Sequence, residues 1–216
     1  MFMQNTLHKK AMLGFSAAVL TLGLAATPAM AQTGGWYGGL GIGQTKAKDL
    51  NSLCGDLLSI LPAGTSCNTD DKDTGMKFFA GNQFNKNGAI EFGYVDLGKA
   101  TASLNGPGVG GTVKWEATGF NVGLVGTLPV NEGFGVLGRI GIFIWNMDFS
   151  VSGIGGSASQ SASGEDLTYG LGVKYDFSKM TGLRLEWEKF KDVGDANDTG
   201  QSDIDLLSLS LVFKFR

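Results

Sequence analysis

The sequence predicts an all-β fold: an eight-stranded antiparallel up-and-down transmembrane β-barrel. Three observations predict it. Apolar and polar residues alternate with a period of two along eight segments, which puts every second side chain on the same face of a strand. The connections between those segments alternate between long and short. No stretch after the first 31 residues is a plausible spanning helix, because Gly, Asn, Lys or Asp interrupts each apolar run. An exported chain of this kind is either soluble or a closed barrel, since only helices and barrels satisfy the backbone in lipid.

Export is read from the N-terminus. His8, Lys9 and Lys10 give a basic start, Ala11 to Ala26 is a short apolar run, and Ala29-Met30-Ala31 is an A-x-A cleavage pattern. Residues 1–31 are therefore expected to be a cleaved secretory signal peptide and residues 32–216 the β-barrel. Gln32, not a cysteine, follows the cut, which argues against lipoprotein processing. The chain carries 35 glycines, which disfavours a mainly helical protein. Its formal charge of −3 offers no basic face for a nucleic-acid partner.

The strands follow in order. Gly35 to Thr45 sets Trp36, Leu40 and Ile42 against Tyr37, Gly39, Gly41 and Gly43. Lys46 to Lys72 is a long polar connection holding both cysteines. Thr74 to Phe84 sets Met76, Phe78, Ala80 and Phe84 against Lys77, Phe79, Gly81 and Gln83. Asn85-Lys86-Asn87-Gly88 is a hairpin turn, in which Asn-Gly accepts positive φ. Ala89 to Lys99 carries Ile90, Phe92 and Tyr94 against Glu91 and Gly93. Ala100 to Gly111 is a second loop; its G-x-G-x-x-G at Gly106, Gly108 and Gly111 opens no helix and carries no dinucleotide reading. Thr112 to Leu128 and Phe134 to Phe149 alternate about a short turn, Pro129 to Gly133. Ser150 to Ser163 is a Gly/Ser-rich loop. Asp166 to Phe177 (DLTYGLGVKYDF) alternates without a break, and a short turn leads to Leu183 to Phe190. Lys191 to Gln201 is a fourth, acidic loop, and Ser202 to Arg216 ends the chain.

Long loops alternating with short turns are the signature of an outer-membrane barrel, with the turns and both termini in the periplasm. Two features point the apolar face to lipid rather than to a soluble core. The polar face mixes glycines with Glu91, Arg139, Lys174, Arg184 and Glu186, which suits the narrow lumen of eight strands. Trp36, Phe84, Phe134, Tyr175, Phe177, Phe213 and Phe215 cluster near the turn side on the apolar face, as an interfacial girdle does.

The chain resembles the OmpA-like transmembrane barrels and, more loosely, the OmpX/Ail group of eight-stranded outer-membrane proteins. The resemblance covers Gly35 to Arg216. Its carriers are WYGGLGIGQ, IEFGYVDLG, GVLGRIG, YGLGVKYDF, GLRLEWE and LLSLSLVFKF, in that order. The family's separate peptidoglycan-binding domain is expected to be absent. The resemblance implies that the terminal phenylalanines, Phe213 and Phe215, act as the signal read by the barrel-assembly machinery; Arg216 follows where the family ends on phenylalanine. It also implies that Glu91, Arg139, Arg184 and Glu186 match luminal charges that plug such barrels and have been proposed to gate a small pore. Lys174 departs from the pattern, where the family carries a carboxylate, and Val125 departs where it carries a lysine.

Counted from the short turns, Glu91, Arg139, Lys174, Arg184 and Glu186 fall at similar heights, and buried charges must pair. They are expected to form one luminal charge network. Cys54 and Cys67 are expected to form a disulfide in an oxidising setting, with metal binding as the rival. Asp70, Asp71 and Asp73 read as solvated loop carboxylates, or as weak Ca²⁺ ligands. The sole histidine, His8, lies in the expected signal peptide, so a mature chain has no base for Ser-His chemistry. No enzyme activity, cofactor or catalytic residue is expected.

The function expected is structural: an outer-membrane barrel supporting envelope integrity and surface interaction, adhesin-like, through four exposed loops. A narrow porin-like channel for small solutes or ions is the alternative. Expected partners are outer-membrane lipid and lipopolysaccharide, the barrel-assembly machinery and extracellular ligands of the loops, with the barrel monomeric.

Overall fold

The computed structural model describes residues 34–48, 54–55, 58–195 and 200–215. The expected signal peptide, 1–31, lies outside the described residues. The strands are β1 (Gly35–Ala47), β2 (Ser66–Asp70), β3 (Lys72–Gln83), β4 (Gly88–Gly106), β5 (Val109–Pro129), β6 (Phe134–Gly153), β7 (Gly156–Asp176), β8 (Thr181–Asp195) and β9 (Gly200–Lys214). β4, β3, β1, β9, β8, β7, β6 and β5 pair in that order, and a β4–β5 ladder closes them into a ring of eight. Every pairing is antiparallel. Closure removes the free edges that lipid would leave unsatisfied. Among the described residues no helix is long and apolar enough to cross a membrane.

The alternation sorts inside from outside as expected. Ile42, Phe78, Phe92, Leu124, Ile140, Leu171, Leu185 and Leu209 all point outward and are exposed. So do the turn-side aromatics Trp36, Phe84, Tyr175, Phe177, Phe213 and Phe215. Inward side chains form two apolar layers. Tyr37, Phe79, Ala89, Val125, Leu137 and Val212 pack at the turn end. Val95, Leu97, Ala117, Phe143, Trp145, Met147, Phe190, Val193, Ile204 and Leu206 pack towards the opposite end. The Phe143 and Phe190 rings meet edge-on at 4.8 Å and are fully buried. Glycines opposite the large rings make room: a Cβ on Gly39 would lie 2.3 Å from the Phe79 ring, and one on Gly81 2.4 Å from that of Tyr37.

Three expectations are corrected. The first concerns the loops. β4 to β7 run 19 to 21 residues each, whereas about 9–11 tilted residues span a bilayer. The segments 100–111 and 150–163, expected as loops, are instead strand continuations that stand outside the membrane. The β6–β7 ladder is unbroken from Phe134↔Tyr175 to Gly153↔Gly156. Beyond the membrane both faces meet water, so the apolar/polar contrast that marks a strand disappears.

The second concerns Cys67. It lies on β2, paired with Leu104 of β4, rather than in a free loop. β2 prolongs the line of β3, broken at Asp71, and the Cys54–Cys67 disulfide, with Cα atoms 5.8 Å apart, ties the loop to that strand. Replacing both cysteines by serine is expected to speed tryptic cleavage after Lys48 while the folded barrel keeps its compact gel mobility. Unfolding in urea would shift by no more than about 3 kcal/mol.

The third concerns the first turn. Neither Asn87 nor Gly88 takes positive φ. The Asn85 carboxamide oxygen instead accepts the N–H groups of Asn87 at 2.8 Å and Gly88 at 2.7 Å, a side chain standing in for backbone turn geometry. The Phe84 ring occupies the place a Gly88 Cβ would need, 2.7 Å away.

Two register shifts interrupt the ring at the end away from the short turns, one between Asp96 and Lys99 in β4 and one between Phe190 and Val193 in β8. Gly98 sits in the first at φ 70°; Asp192 sits in the second at φ 49°, the one non-glycine residue with positive φ among those described.

Candidate functional site

Between the two apolar layers lies a layer of charge. β3 contributes Lys77, β4 Glu91, β6 Arg139, and β8 Arg184, Glu186 and Glu188. Each sits on the inward parity of its strand, so the alternation that turns leucines to lipid turns these side chains to the lumen. Arg184 Nη1 donates to Glu91 Oε1 at 2.6 Å, and the Tyr37 hydroxyl donates to the same oxygen at 2.6 Å. Arg139 lies 3.3 Å from Glu91 Oε2, 3.4 Å from Glu186 Oε1 and 3.2 Å from Glu188 Oε2. Lys77 Nζ donates to Glu186 Oε2 at 2.8 Å and also to Glu188. The Arg184 guanidinium further lies over the rings of Phe79 and Tyr37, at 5.0 and 5.5 Å.

Three cations thus face three carboxylates, and none of the six side chains is more than 7% exposed. Desolvating so many charges is costly, and mutual pairing is what offsets it. The arrangement is chemically passive: each carboxylate already has cationic partners. Asn121, Thr168, Ser208 and Ser210 are neutral polar residues buried on the same luminal surface. Ser208 and Ser210 are cross-strand neighbours of Glu186 and Arg184.

Four of the five residues expected in the network therefore come together, and one does not. Lys174 points to the turn-side mouth, where it donates to Asp176 at 3.1 Å and Lys214 binds the same carboxylate at 2.6 Å. Lys174 is the cross-strand neighbour of Arg184. The longer arginine reaches inward to Glu91, and a fourth cation there would upset the three-to-three balance. Lys77 and Glu188 were not expected in the network. Both lie on the luminal parity in sequence, but their heights depend on the stagger between strands, which places Lys77 beside Gly41 and Glu188 beside Gly170 and Leu206. Val125 belongs to the turn-side apolar layer with Leu137.

The acidic trio also separates. Asp73 accepts the backbone N–H groups of Thr74 and Lys99, each at 2.7 Å, and so holds β3 against the β4 bulge. Among the described residues no group of three or more potential metal ligands assembles.

A second cluster of charge sits on the outer rim. Asp203 accepts from Lys191 Nζ at 2.9 Å, from Lys189 Nζ at 3.2 Å and from the Asp192 amide at 3.2 Å. Burial pushes the Asp203 carboxyl up, but these three donors outweigh it and hold it below the ordinary carboxylate range. The folded state then favours the ionised form. Its contribution is complete above the unfolded value, about 3.9, and is lost as pH falls through the lower folded value. Protection of the Asp192 amide from hydrogen exchange, corrected for intrinsic rate, is expected to stay constant from about pH 7 to 5 and to fall below about pH 4. Asp203→Asn removes that acid limb.

With the geometry in hand, comparison with known proteins decides the family. The model of the OmpA-like transmembrane domain matches residues 31–216. The chain belongs to the OmpA-like transmembrane domain family. Outer membrane protein A of Shigella flexneri is 27% identical over 149 residues, covering 68% of this chain and 42% of that protein. Outer membrane protein A of Salmonella typhi is 25% identical over 182 residues, covering 83% of this chain and 48% of that protein. This OmpA-like barrel spans about half the length of the curated relatives it matches. Among solved structures, Neisserial surface protein A aligns with a TM-score of 0.51 at 12% identity, over 85% of this chain and all of that one. Ail of Yersinia pestis, solved with the heparin analogue sucrose octasulfate, aligns with a TM-score of 0.46 at 14% identity, over 84% of this chain and 99% of that one. The OmpA-like barrel is accordingly an outer-membrane protein, and its ring of eight strands is the membrane-spanning unit.

Proposed function

We propose that this OmpA-like barrel is a non-enzymatic structural and surface-interaction protein whose lumen does not conduct. The observation that carries the reading is the stack of layers in the lumen: apolar, charged, apolar. The charged layer supports closure because every carboxylate in it already has cationic partners, so a permeating ion would have to break pairs it cannot replace. The apolar layers support it because neither offers an ion a hydration shell. What remains for interaction is the extracellular crown, much of which, among the described residues, is carried on β-structure. Adhesion and envelope integrity are the roles this fits, with lipopolysaccharide and outer-membrane lipid around the barrel wall and the barrel monomeric. Removal of residues 1–31 on export, and reading of Phe213 and Phe215 by the assembly machinery, complete the proposal.

The experiment is single-channel recording of the purified mature protein in planar bilayers. No steady conductance is expected. A steady open level that changes with Arg139→Ala or Lys77→Ala would replace this reading with the narrow-channel one. Comparing cells that carry the wild-type barrel with cells lacking the β6–β7 hairpin tip tests the other half. Equal adhesion by both would remove the surface role.

A further inference from the structure

At the extracellular end of the lumen, above the Phe143–Phe190 contact, the apolar layer does not close. It opens into a cavity of about 90 Å³ walled mainly by Leu97, Trp115, Ala117, Met147, Val193 and Ile204. Two independent features of the backbone fall on its wall. The β4 register shift brackets Leu97 and Gly98, and the β8 shift ends at Val193. Bulges bend strands and re-aim side chains, and they recur at barrel rims and beside binding sites. The β8 shift also holds Asp192 at φ 49°, a left-handed backbone conformation that favours glycine. An apolar hollow facing water, shaped by two bulges and one strained residue, runs against the tendency of cores to fill.

We propose that this vestibule is a binding site for the end of an unbranched alkyl chain, the tail of a small amphiphile arriving from outside. Size selects the class: an engineered apolar cavity of roughly 150 Å³ holds benzene, and this one is smaller, so it suits a few methylenes in single file rather than a ring. Phe143, Phe190 and Leu206, all fully buried, belong to the same apolar cluster as Leu97, Ala117, Met147, Val193 and Ile204 and fill the lumen beside the cavity, so the chain enters from the mouth. Two charged residues border the cavity, Asp71 and Lys99, one of each sign, so the polar head stays in water at the mouth and neither sign is favoured. Burial of each methylene is worth about 0.8 kcal/mol, which makes affinity a function of chain length until the cavity is full.

The test uses the mature barrel in lipid nanodiscs with ¹³C-labelled Met and Ile methyls, titrated with butanoate, hexanoate, octanoate and octylammonium. Saturable shifts are expected at Met147 and Ile204, tighter with chain length up to a plateau, and equal for octanoate and octylammonium. Met76, which faces lipid, reports simple partitioning into the bilayer. Ala117→Leu fills the cavity and is expected to weaken octanoate binding at least ten-fold while the gel mobility of the folded barrel is kept. Ala47→Leu, on another wall, is the second filling variant. Non-saturating shifts at Met147 that track Met76, or binding that survives both substitutions in a folded barrel, would overturn the proposal. So would binding by only one sign of head group, which would place recognition in the rim charges instead.

Discussion

Glu186→Gln is expected to destabilise the folded barrel by about 3–5 kcal/mol, the cost of breaking a buried charge pair on one side only. Glu186 is fully buried, accepts from Lys77 at 2.8 Å and lies 3.4 Å from Arg139. A glutamine fits the space but brings no charge, leaving three cations facing two carboxylates in a layer closed off from water. The destabilisation comes from the cations left behind rather than from a lost contact, and this distinguishes it from a packing defect. Lys77→Met added to Glu186→Gln restores the balance and is expected to recover part of the loss, so the two effects should be strongly non-additive. Urea titration of the folded fraction, read by gel mobility in lipid vesicles, measures both. Lys174→Ala is the contrast. It removes a cation from the half-exposed mouth, where Lys214 still holds Asp176, and should cost less than about 1 kcal/mol. An equal loss for Lys174→Ala and Glu186→Gln would show that the charged layer has no special standing.

Ile140→Arg is expected to cost about 2–4 kcal/mol, the penalty for a cation on the lipid face near the bilayer midplane. Ile140 points outward at 56% exposure, flanked across the ladder by Leu124 and Tyr169. In a soluble barrel of the same shape, arginine at so exposed a site would be nearly neutral. The neighbouring Arg139 carries the same charge one residue away and is stable only because it points into the lumen among carboxylates. Ser152→Arg, on the same strand but in the hairpin outside the membrane, is expected to change stability by less than about 0.5 kcal/mol. The difference between the two arginines, measured as above, reports the membrane directly.

Much of this architecture is legible in DLTYGLGVKYDF and its counterparts, because inside a membrane the two faces of a strand meet opposite solvents. Leu167, Leu171 and Tyr175 could only face lipid, and Glu91, Arg139, Arg184 and Glu186 could only face the lumen. Parity gives a side chain's face, however, and says nothing of its height or reach. That is why Lys174 reads as one of the network although it turns to Asp176, and why Lys77 and Glu188, on the right parity, are not joined to it without knowledge of the stagger. Outside the membrane the rule itself fails. The run GSASQSASGE at 156–165 looks like a flexible linker, yet it pairs residue by residue with β6. The left-handed Asp192 has no local sequence signal, since its conformation is imposed by the β8 register shift.

That unbroken β6–β7 ladder alters what a visitor to the cell surface encounters. About ten residue pairs beyond the bilayer, at roughly 3.3 Å each, make a stiff mast some 30 Å long, braced along its β6 side by β5, which pairs with it out to Gly111↔Gly153. A mast projects through a saccharide coat where a slack loop would fold back onto it. It also presents its epitopes as a shape rather than as a sequence: an antibody that grips both strands at once will not be displaced by a linear peptide copied from either one.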